Sequence, residues 1–446
     1  MPRSADPTAL AAWHQLVAEQ PAAAAVSVDG ENWWSRAQLL ERVSAVPRIA
    51  EPGPHGGPTG VRVVPDDDPA TALVTMLAAL AHDEVAVVAS AAALPPVLDA
   101  VVAAVAQDRM GTGRLVVATS GTTGGPRAVV RTWPSWTTSF AAFDAVVRAV
   151  EDDVMWLPGP VLATLTLFGL CHGALPGLPV VATGRWRAGA ALPEAASLMH
   201  ALPAVLADVL DRPGAAPRLR RAVVAGAAGT ARLRPLAVAR GVEVVEYYGA
   251  AELSFVGLDG DGAGFEPYPA VAVELRGDEV WVRSPFTALG YLTAPGPDPA
   301  APLRQDEDGW SSVGDRATAT ATGQRFVLLG RPDAAVVGGH TVVLADVEAV
   351  LATVPGVLEA ACSAAADTVL GEQVVAHLAL GRPPADDLTA KALVRRQARA
   401  AVRAQLPHAR ALRLHLVERL PRTAAGKVDR VALTEPAVRS AGPDLP

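Results

Sequence analysis

The sequence predicts an α/β protein with a large N-terminal domain of layered α/β subdomains plus a small β-barrel, followed by a smaller α+β C-terminal domain. Three observations carry this reading. At 446 residues the chain is too long for one ordinary core, and with 50% hydrophobic and only 19% charged residues it can fill two or three. Strand-like runs alternate with helix-period segments through residues 1–110, the pattern of a sheet with helices packed on it. From about Phe265 to Leu329 the pattern changes to short strands separated by turns, as in a barrel or sandwich.

Taken in order, Ser35 caps a helix carrying Leu39, Leu40 and Val43. A strand at Gly60–Val64 precedes Asp66-Asp67-Asp68-Pro69, which opens a helix to about Ala81. A strand at Glu84–Val88 and a helix from Pro95 to Ala106 follow. Two apolar runs, Leu115–Ala118 and Ala128–Val130, read as strands, with a helix near Ser135–Val150 after them. The uncharged run Val154–Gly184 contains Pro158, Pro160, Pro176 and Pro179, so buried strands and turns suit it better than a spanning helix. Met199, Leu202, Val205 and Leu206 read as one helix, and Arg221–Ala225 and Val242–Glu246 as strands. Short strands are expected at Ala270–Leu275, Glu279–Val282 and Arg325–Leu329. After a boundary at Asp333, which separates domains 1–332 and 333–446, helices are expected near Leu344–Thr353 and Leu388–Ala404, with strands at Val357–Ala361 and Gln373–Leu380.

Composition narrows the function. A net charge of −8 with both signs interspersed argues against a nucleic-acid partner. Two cysteines, Cys171 and Cys362, make neither a disulfide framework nor a zinc site, which fits a reducing cytoplasm. Asp6 and Glu19 interrupt any secretory pattern at the N-terminus, and no membrane span is expected. Of 38 basic residues only Lys391 and Lys427 are lysines, so a lysine in this background invites attention.

The most informative stretch is Leu115–Arg131, LVVATSGTTGGPRAVVR. Gly121, Gly124 and Gly125 let the backbone approach a ligand closely. Thr119, Ser120, Thr122 and Thr123 interleave hydroxyls with them, and Arg127 adds a fork that matches phosphate geometry. A phosphate-gripping loop between two strands is the physical reading; a plain polar turn is the alternative. The loop of phosphoryl-transfer enzymes needs Gly-Lys-Ser/Thr, which Gly125-Pro126-Arg127 does not supply. The stretch resembles the phosphate loop of the AMP-forming adenylating enzymes: acyl-CoA synthetases, peptide-synthetase adenylation domains and luciferases. That family usually ends the loop in Lys, where this chain has Arg127.

Further motifs occur in the family's order. Tyr248-Gly249-Ala250-Ala251-Glu252 follows a strand and resembles the family's Tyr-Gly-x-Thr-Glu, with Ala251 replacing Thr. Tyr248 offers an aromatic face to a purine and Glu252 a hard oxygen to Mg²⁺. Gly226-Ala227-Ala228 matches the family's small-residue turn beside adenine. Trp310 to Asp315 resembles its Trp-containing motif, with Val313 for Thr; Asp315 is the expected ribose clamp and Arg331, sixteen residues on, its companion. Asp333 matches the family's hinge, and Gly338-Gly339 its pantetheine channel. Pro421–Arg430 matches Pro-x-Thr-x-x-Gly-Lys-x-x-Arg, which places Lys427 at the catalytic lysine.

The resemblance covers about Val26 to Arg430 and implies an AMP-forming ligase most like a short acyl-CoA synthetase, using ATP and Mg²⁺. A carboxylate attacks the α-phosphorus of ATP to give acyl-AMP and pyrophosphate, and a thiol then displaces AMP. The implied catalytic set is Glu252 and Arg127 on the large domain and Lys427 on a C-terminal domain that moves between the two steps. The thiol is that of CoA or of a carrier-protein phosphopantetheine. The acyl pocket is expected among residues 157–170, 199–206 and 224–254, where Val161 stands about where the family often has His. No acidic residue there suits an α-ammonium, so an apolar or aromatic acid is expected. A nucleotide-binding protein with weakened catalysis is the reading from another class.

Overall fold

Five consecutive neighbours in the largest sheet, four of them short and almost wholly apolar, are parallel. They are Glu243–Ala250, Arg221–Val224, Leu198–Ala201, Met155–Leu157 and Val180–Ala182, joined on one side by Ala24–Ser27. Four of them are buried at every position, as expected of parallel strands covered on both faces. Antiparallel strands close the two edges: Ser254–Asp259 with Glu266–Pro267, and Trp33–Ser35. The computed structural model describes residues 7–49, 60–91, 93–106, 113–119, 127–187, 189–212, 214, 216–225, 230–292, 303–330, 334–337, 340–367, 371–380, 388–406, 409, 412–424 and 426–434.

A second, five-stranded sheet runs Val61–Val63, Val85–Val88, Arg114–Thr119, Arg127–Thr132, Gly290–Leu292. Its first three strands are parallel and the last two antiparallel. The helix Leu94–Ala106 packs Val97, Val101 and Ala104 on Val85, Val87, Val116 and Val130. Among the short strands, Ala272–Arg276 pairs antiparallel with Glu279–Arg283 much as expected, and Arg304–Gln305 with Ser311–Ser312 is a pairing the sequence did not announce.

Local chemistry explains several helix starts. Ser35 accepts from the Gln38 amide while the Gln38 side chain accepts from the Ser35 amide, a reciprocal cap on Arg36–Ala45. Asp68 caps Pro69–His82 through the Ala70 and Thr71 amides, with proline in the first turn where its missing N–H costs nothing.

Three expectations are corrected. Met199 lies on the strand Leu198–Ala201, and the helix begins only at Pro203. A short apolar run fits either period, and the neighbouring parallel strands decide it. Val154–Gly184 contains the helix Thr164–Ala174 between two strands, because its prolines fall outside that segment. The expected helix Ser135–Val150 is two, Pro134–Thr137 and Phe140–Val147, broken at Thr138-Ser139.

The chain divides into two compact units: Met1–Val313 with Ala319–Val327 and Ala424–Gly426, and Gly314–Thr318 with Leu328–Thr423 and Lys427–Pro446. In the second, Val357–Asp367 and Gly371–Leu380 pair antiparallel, and Leu412–Val417 joins as an unanticipated parallel neighbour. The helices Leu344–Ala352 and Leu388–Gln405 cover this sheet through Val347, Leu351, Ala398 and Val402. No helix among the described residues is long and apolar enough to cross a membrane. Both cysteines are buried and unpaired, and burial pushes the Cys171 thiol up to about 12.

Glu246, on the strand Glu243–Ala250, has an unusual proton affinity. Burial, helped by the Asp259 charge and opposed by Arg234, pushes its carboxyl up to about 7. A group whose pKa is raised by folding stabilises fully below its unfolded value and loses that contribution as pH rises through the folded one. The loss therefore falls between about pH 4.5 and 7. Glu246→Gln should flatten this part of the profile and exceed the wild type by about 1–2 kcal/mol at pH 8, a discounted conversion because the side chain is partly exposed. Urea midpoints measured across pH 5–8 check it; parallel profiles for the two proteins would contradict it.

Candidate active site

The hairpin Arg114–Thr119/Arg127–Thr132 brackets the phosphate-loop motif, with Thr119 directly opposite Arg127. The loop therefore leaves the C-terminal end of a strand that runs parallel to its neighbour, where open α/β sheets place ligands. Thr119 and Arg127 are described by their backbones. Ser120, Gly121, Thr122, Thr123 and Gly124 lie outside the described residues.

The second motif departs from its expected local structure. The strand expected to end at Glu246 continues to Ala250, so Tyr248 and Gly249 lie within it. It turns through Ala251, Glu252 and Leu253 and returns antiparallel as Ser254–Asp259. A bulge falls between Tyr248 and Gly249. A Cβ on Gly249 would collide with the Ser254 carbonyl oxygen, so glycine is required here by the hairpin itself. Tyr248 is 7% exposed and meets Phe265 and Phe326 edge-on.

Glu252 sits at the tip of this turn and is also 7% exposed. Its Oε1 accepts from the Tyr291 hydroxyl at 2.6 Å, and its backbone carbonyl accepts from the Ala288 amide at 2.7 Å. Arg131, on the hairpin that carries the phosphate loop, is 1% exposed. Its guanidinium donates to the carbonyls of Ala251 and Phe286 and, at 3.2 Å, to Ser254 Oγ. Burial lowers its pKa to about 10, with the Glu252 carboxylate pulling the other way, so it remains cationic at neutral pH. The turn that presents Glu252 is thus tied to the phosphate-loop hairpin by a buried cation.

The Lys427 motif is a short closed loop whose residues group with the smaller unit except Ala424–Gly426. Arg422 and Val428 form an isolated bridge, the Thr423 amide donates to the Lys427 carbonyl at 2.8 Å, and Gly426 takes φ +83°. Arg422 is ion-paired with Glu359 on the strand Val357–Asp367. Arg430 pairs with Glu348 at 2.7 Å and donates to the Cys362 carbonyl at 2.9 Å. Two arginines of the motif therefore staple the loop to its domain, while the Lys427 side chain is exposed. Glu348, on the helix Leu344–Ala352, is thus engaged by both terminal guanidinium nitrogens of Arg430.

Residues 62–292 match the AMP-binding enzyme family, and residues 346–427 match the AMP-binding enzyme C-terminal domain. A probable 2-succinylbenzoate–CoA ligase of Mycobacterium tuberculosis is 32% identical over 339 residues, 72% of this chain and 83% of that protein. The chain belongs to this family. The Escherichia coli medium-chain fatty-acid–CoA ligase is 27% identical over 360 residues, 74% of this chain and 62% of that protein. In fold, the o-succinylbenzoate CoA synthetase of Bacillus subtilis, solved with its acyl-adenylate, gives a TM-score of 0.75 at 19% identity, covering 97% of this chain and 99% of that one. The MatB protein of Rhodopseudomonas palustris with ATP gives 0.73 at 20% identity, covering 95% and 98%. The chain is an AMP-forming ligase of the acyl-CoA synthetase type.

For this AMP-binding enzyme the structure brings some of the expected residues together and leaves others undescribed. Glu252 is placed beside the hairpin of Thr119 and Arg127 through Arg131 and Tyr291. Asp315 follows Gly314, which takes φ +82°, and lies between Ser311–Ser312 and Arg316–Ala319. Gly226, Ala227 and Ala228 lie outside the described residues, between the strand Arg221–Val224 and the helix Thr230–Ala239. Arg331, Asp333, Gly338 and Gly339 also lie outside them.

Sequence reasoning missed Arg131 and Tyr291. A signal for Arg131 existed: it is the cation that follows three apolar strand residues, on a strand otherwise buried. Also missed was an aromatic and histidine layer on one face of the large sheet. Phe143 packs on His200 and Phe255 on Tyr247, with Phe168 edge-on to both phenylalanines, and the His200 Nε2 and Tyr247 hydroxyl lie 3.0 Å apart. Alternation puts Met199, Ala222 and Val244 on the opposite face. Burial, with His172 nearby, pushes His200 down to about 3, so it is neutral at physiological pH.

Proposed function

We propose that this ligase activates an apolar or aromatic carboxylic acid and transfers it to free CoA. The observation that carries the proposal is the Glu252 turn tied to the phosphate-loop hairpin through Arg131 and Tyr291, which would set a carboxylate beside the nucleotide phosphates. Mg²⁺ fits this donor set. The cation takes one or two carboxylates with phosphates and waters rather than an all-protein cage. One Glu252 oxygen accepts from Tyr291, and the described residues contain no cluster of three metal-binding side chains. When bound, Mg²⁺ neutralises phosphate charge.

The chain's own residues supply the rest. Thr119, Ser120, Thr122, Thr123 and Arg127 hold the β and γ phosphates as pyrophosphate leaves. Tyr248 and Gly226–Ala228 bound the adenine, and Asp315 with Arg331 holds the ribose. Lys427 lies between the incoming carboxylate and the α-phosphate, where catalysis is positioning and charge stabilisation. Asp333 is the hinge between 1–332 and 333–446, and Gly338-Gly339 admit the thiol arm. The buried apolar side chains Leu157, Val161, Leu162 and Phe168 and the neutral His200 favour an acid without a second charge near its carboxylate. The relatives named for 2-succinylbenzoate and for medium-chain fatty acids mark the two classes to test first.

Carboxylate-dependent exchange of pyrophosphate into ATP tests the reading across aromatic acids, fatty acids and amino acids. We expect exchange with aromatic or fatty acids, and AMP with pyrophosphate as products once CoA is added. ADP and orthophosphate as primary products would overturn it, and a best response to amino acids would overturn the substrate class. Thioester formed only on a carrier protein, and not on CoA, would move the acceptor assignment.

A further inference from the structure

We propose that Tyr291 is a positioning residue for the reaction: its hydroxyl aims the Glu252 carboxylate, and the buried Arg131 holds both segments that make this contact. The inference rests on the assignment of Glu252 as the Mg²⁺ carboxylate. Six contacts carry it. The Tyr291 hydroxyl donates to Glu252 Oε1 at 2.6 Å, across 39 residues of sequence. The Ala288 amide, three residues earlier, holds the backbone carbonyl of the same glutamate at 2.7 Å. One segment therefore grips Glu252 at both ends, leaving its side chain little rotamer freedom.

That segment is itself anchored to the phosphate-loop hairpin. Tyr291 pairs with Val129 on the strand Arg127–Thr132, and the Leu289 amide donates to Val130 at 2.8 Å. From the same strand Arg131 reaches the Ala251 and Phe286 carbonyls, one preceding Glu252 and one preceding the 288–291 segment. A planar guanidinium can bridge acceptors on two segments at once; a lysine ammonium has no such fork. The carboxylate thus takes its direction from the strand that leads out of the phosphate loop. A carboxylate that accepts one hydrogen bond on one oxygen keeps the other for a metal, the arrangement in which a neighbouring hydrogen bond orients a ligand.

Tyr291→Phe removes only the hydroxyl and keeps the ring. It should raise the Mg²⁺ concentration for half-maximal pyrophosphate exchange and lower kcat/KM for MgATP by about ten- to a hundredfold, the range for losing a hydrogen bond to a charged group. KM for the carboxylic acid should stay unchanged. A readout apart from activity is calorimetric binding of a non-hydrolysable ATP analogue. Affinity should fall by a similar factor with Mg²⁺ present and not at all in EDTA. Glu252→Gln should show the same metal-selective loss, and the double variant should lose no more than Glu252→Gln alone. Metal-selective loss in Glu252→Gln with normal binding in Tyr291→Phe would overturn the inference and leave the Glu252 assignment standing. Additive losses would also overturn it, because Tyr291 would then act elsewhere. Normal Mg²⁺-dependent binding in Glu252→Gln would remove the assignment itself, and the inference with it.

Discussion

Lys427→Ala is expected to abolish acyl-AMP formation yet leave the conversion of supplied acyl-AMP and thiol to thioester near the wild-type rate. Adenylation brings a carboxylate onto an α-phosphate, two anions that repel each other until a cation lies between them. An ammonium of ordinary pKa, about 10.4, remains charged throughout the physiological range. Removing one preorganised stabiliser of developing charge typically costs about 10²–10³ in rate, and at least that loss is expected in the first half-reaction. In the second, the carboxylate is already activated, and the family resemblance assigns a different face of the C-terminal domain to thiol transfer. The structure makes the variant a clean one. Lys427 is exposed, and its loop is anchored by Arg422 on Glu359 and Arg430 on Glu348, both of which remain in the variant. Folding should therefore survive. Both half-reactions measured on the one variant decide the matter; equal loss in the two would return Lys427 to a structural or thiol-binding role.

Gly249→Ala is expected to lose stability and activity together, through backbone rather than ligand contacts. The added methyl group would press on the Ser254 carbonyl oxygen, and backbone cannot rotate aside as a side chain can. Ser254 already holds a left-handed φ of 61°, so the turn has little room to absorb a shift. Either the two strands part at the Tyr248/Gly249 bulge or the Glu252 tip is displaced. Overpacking commonly costs about 1–3 kcal/mol, and the upper end is expected where the clash is with main chain. Pyrophosphate exchange at a temperature where the variant stays folded should still fall by an order of magnitude or more, since about 1 Å of misplacement is enough to cost a hundredfold. A denaturant midpoint equal to the wild type would show that the hairpin does not close as described.

The family and the chemistry were legible because both reside in short, local patterns. A Gly/Ser/Thr loop between two apolar runs can only be a turn or a grip on anions, and the hairpin of Arg114–Thr119 with Arg127–Thr132 places it as a sequence reader would. Ser35 with Gln38 and Asp68 with Pro69 start helices by contacts within four residues. Elsewhere the local pattern was ambiguous. Leu198–Ala201 satisfies either period, and only its parallel neighbours Met155–Leu157 and Arg221–Val224 make it a strand.

By itself, the sequence determined the family and nominated the groups proposed for its reaction: the hydroxyl-rich loop, Glu252, Asp315 and one lysine in an arginine-rich chain. Only the tertiary structure decided how Glu252 is held. Gly249 is one letter of a motif in the sequence, and in the fold it is the point where the returning strand brings the Ser254 carbonyl too close for a side chain. Arg131 and Tyr291 carry no motif that speaks of Glu252, from which they stand 121 and 39 positions away along the chain. The physical reason is the same in each case. A cap or a turn is closed by neighbours in sequence, whereas a buried cation acquires its role from the carbonyls that folding brings around it.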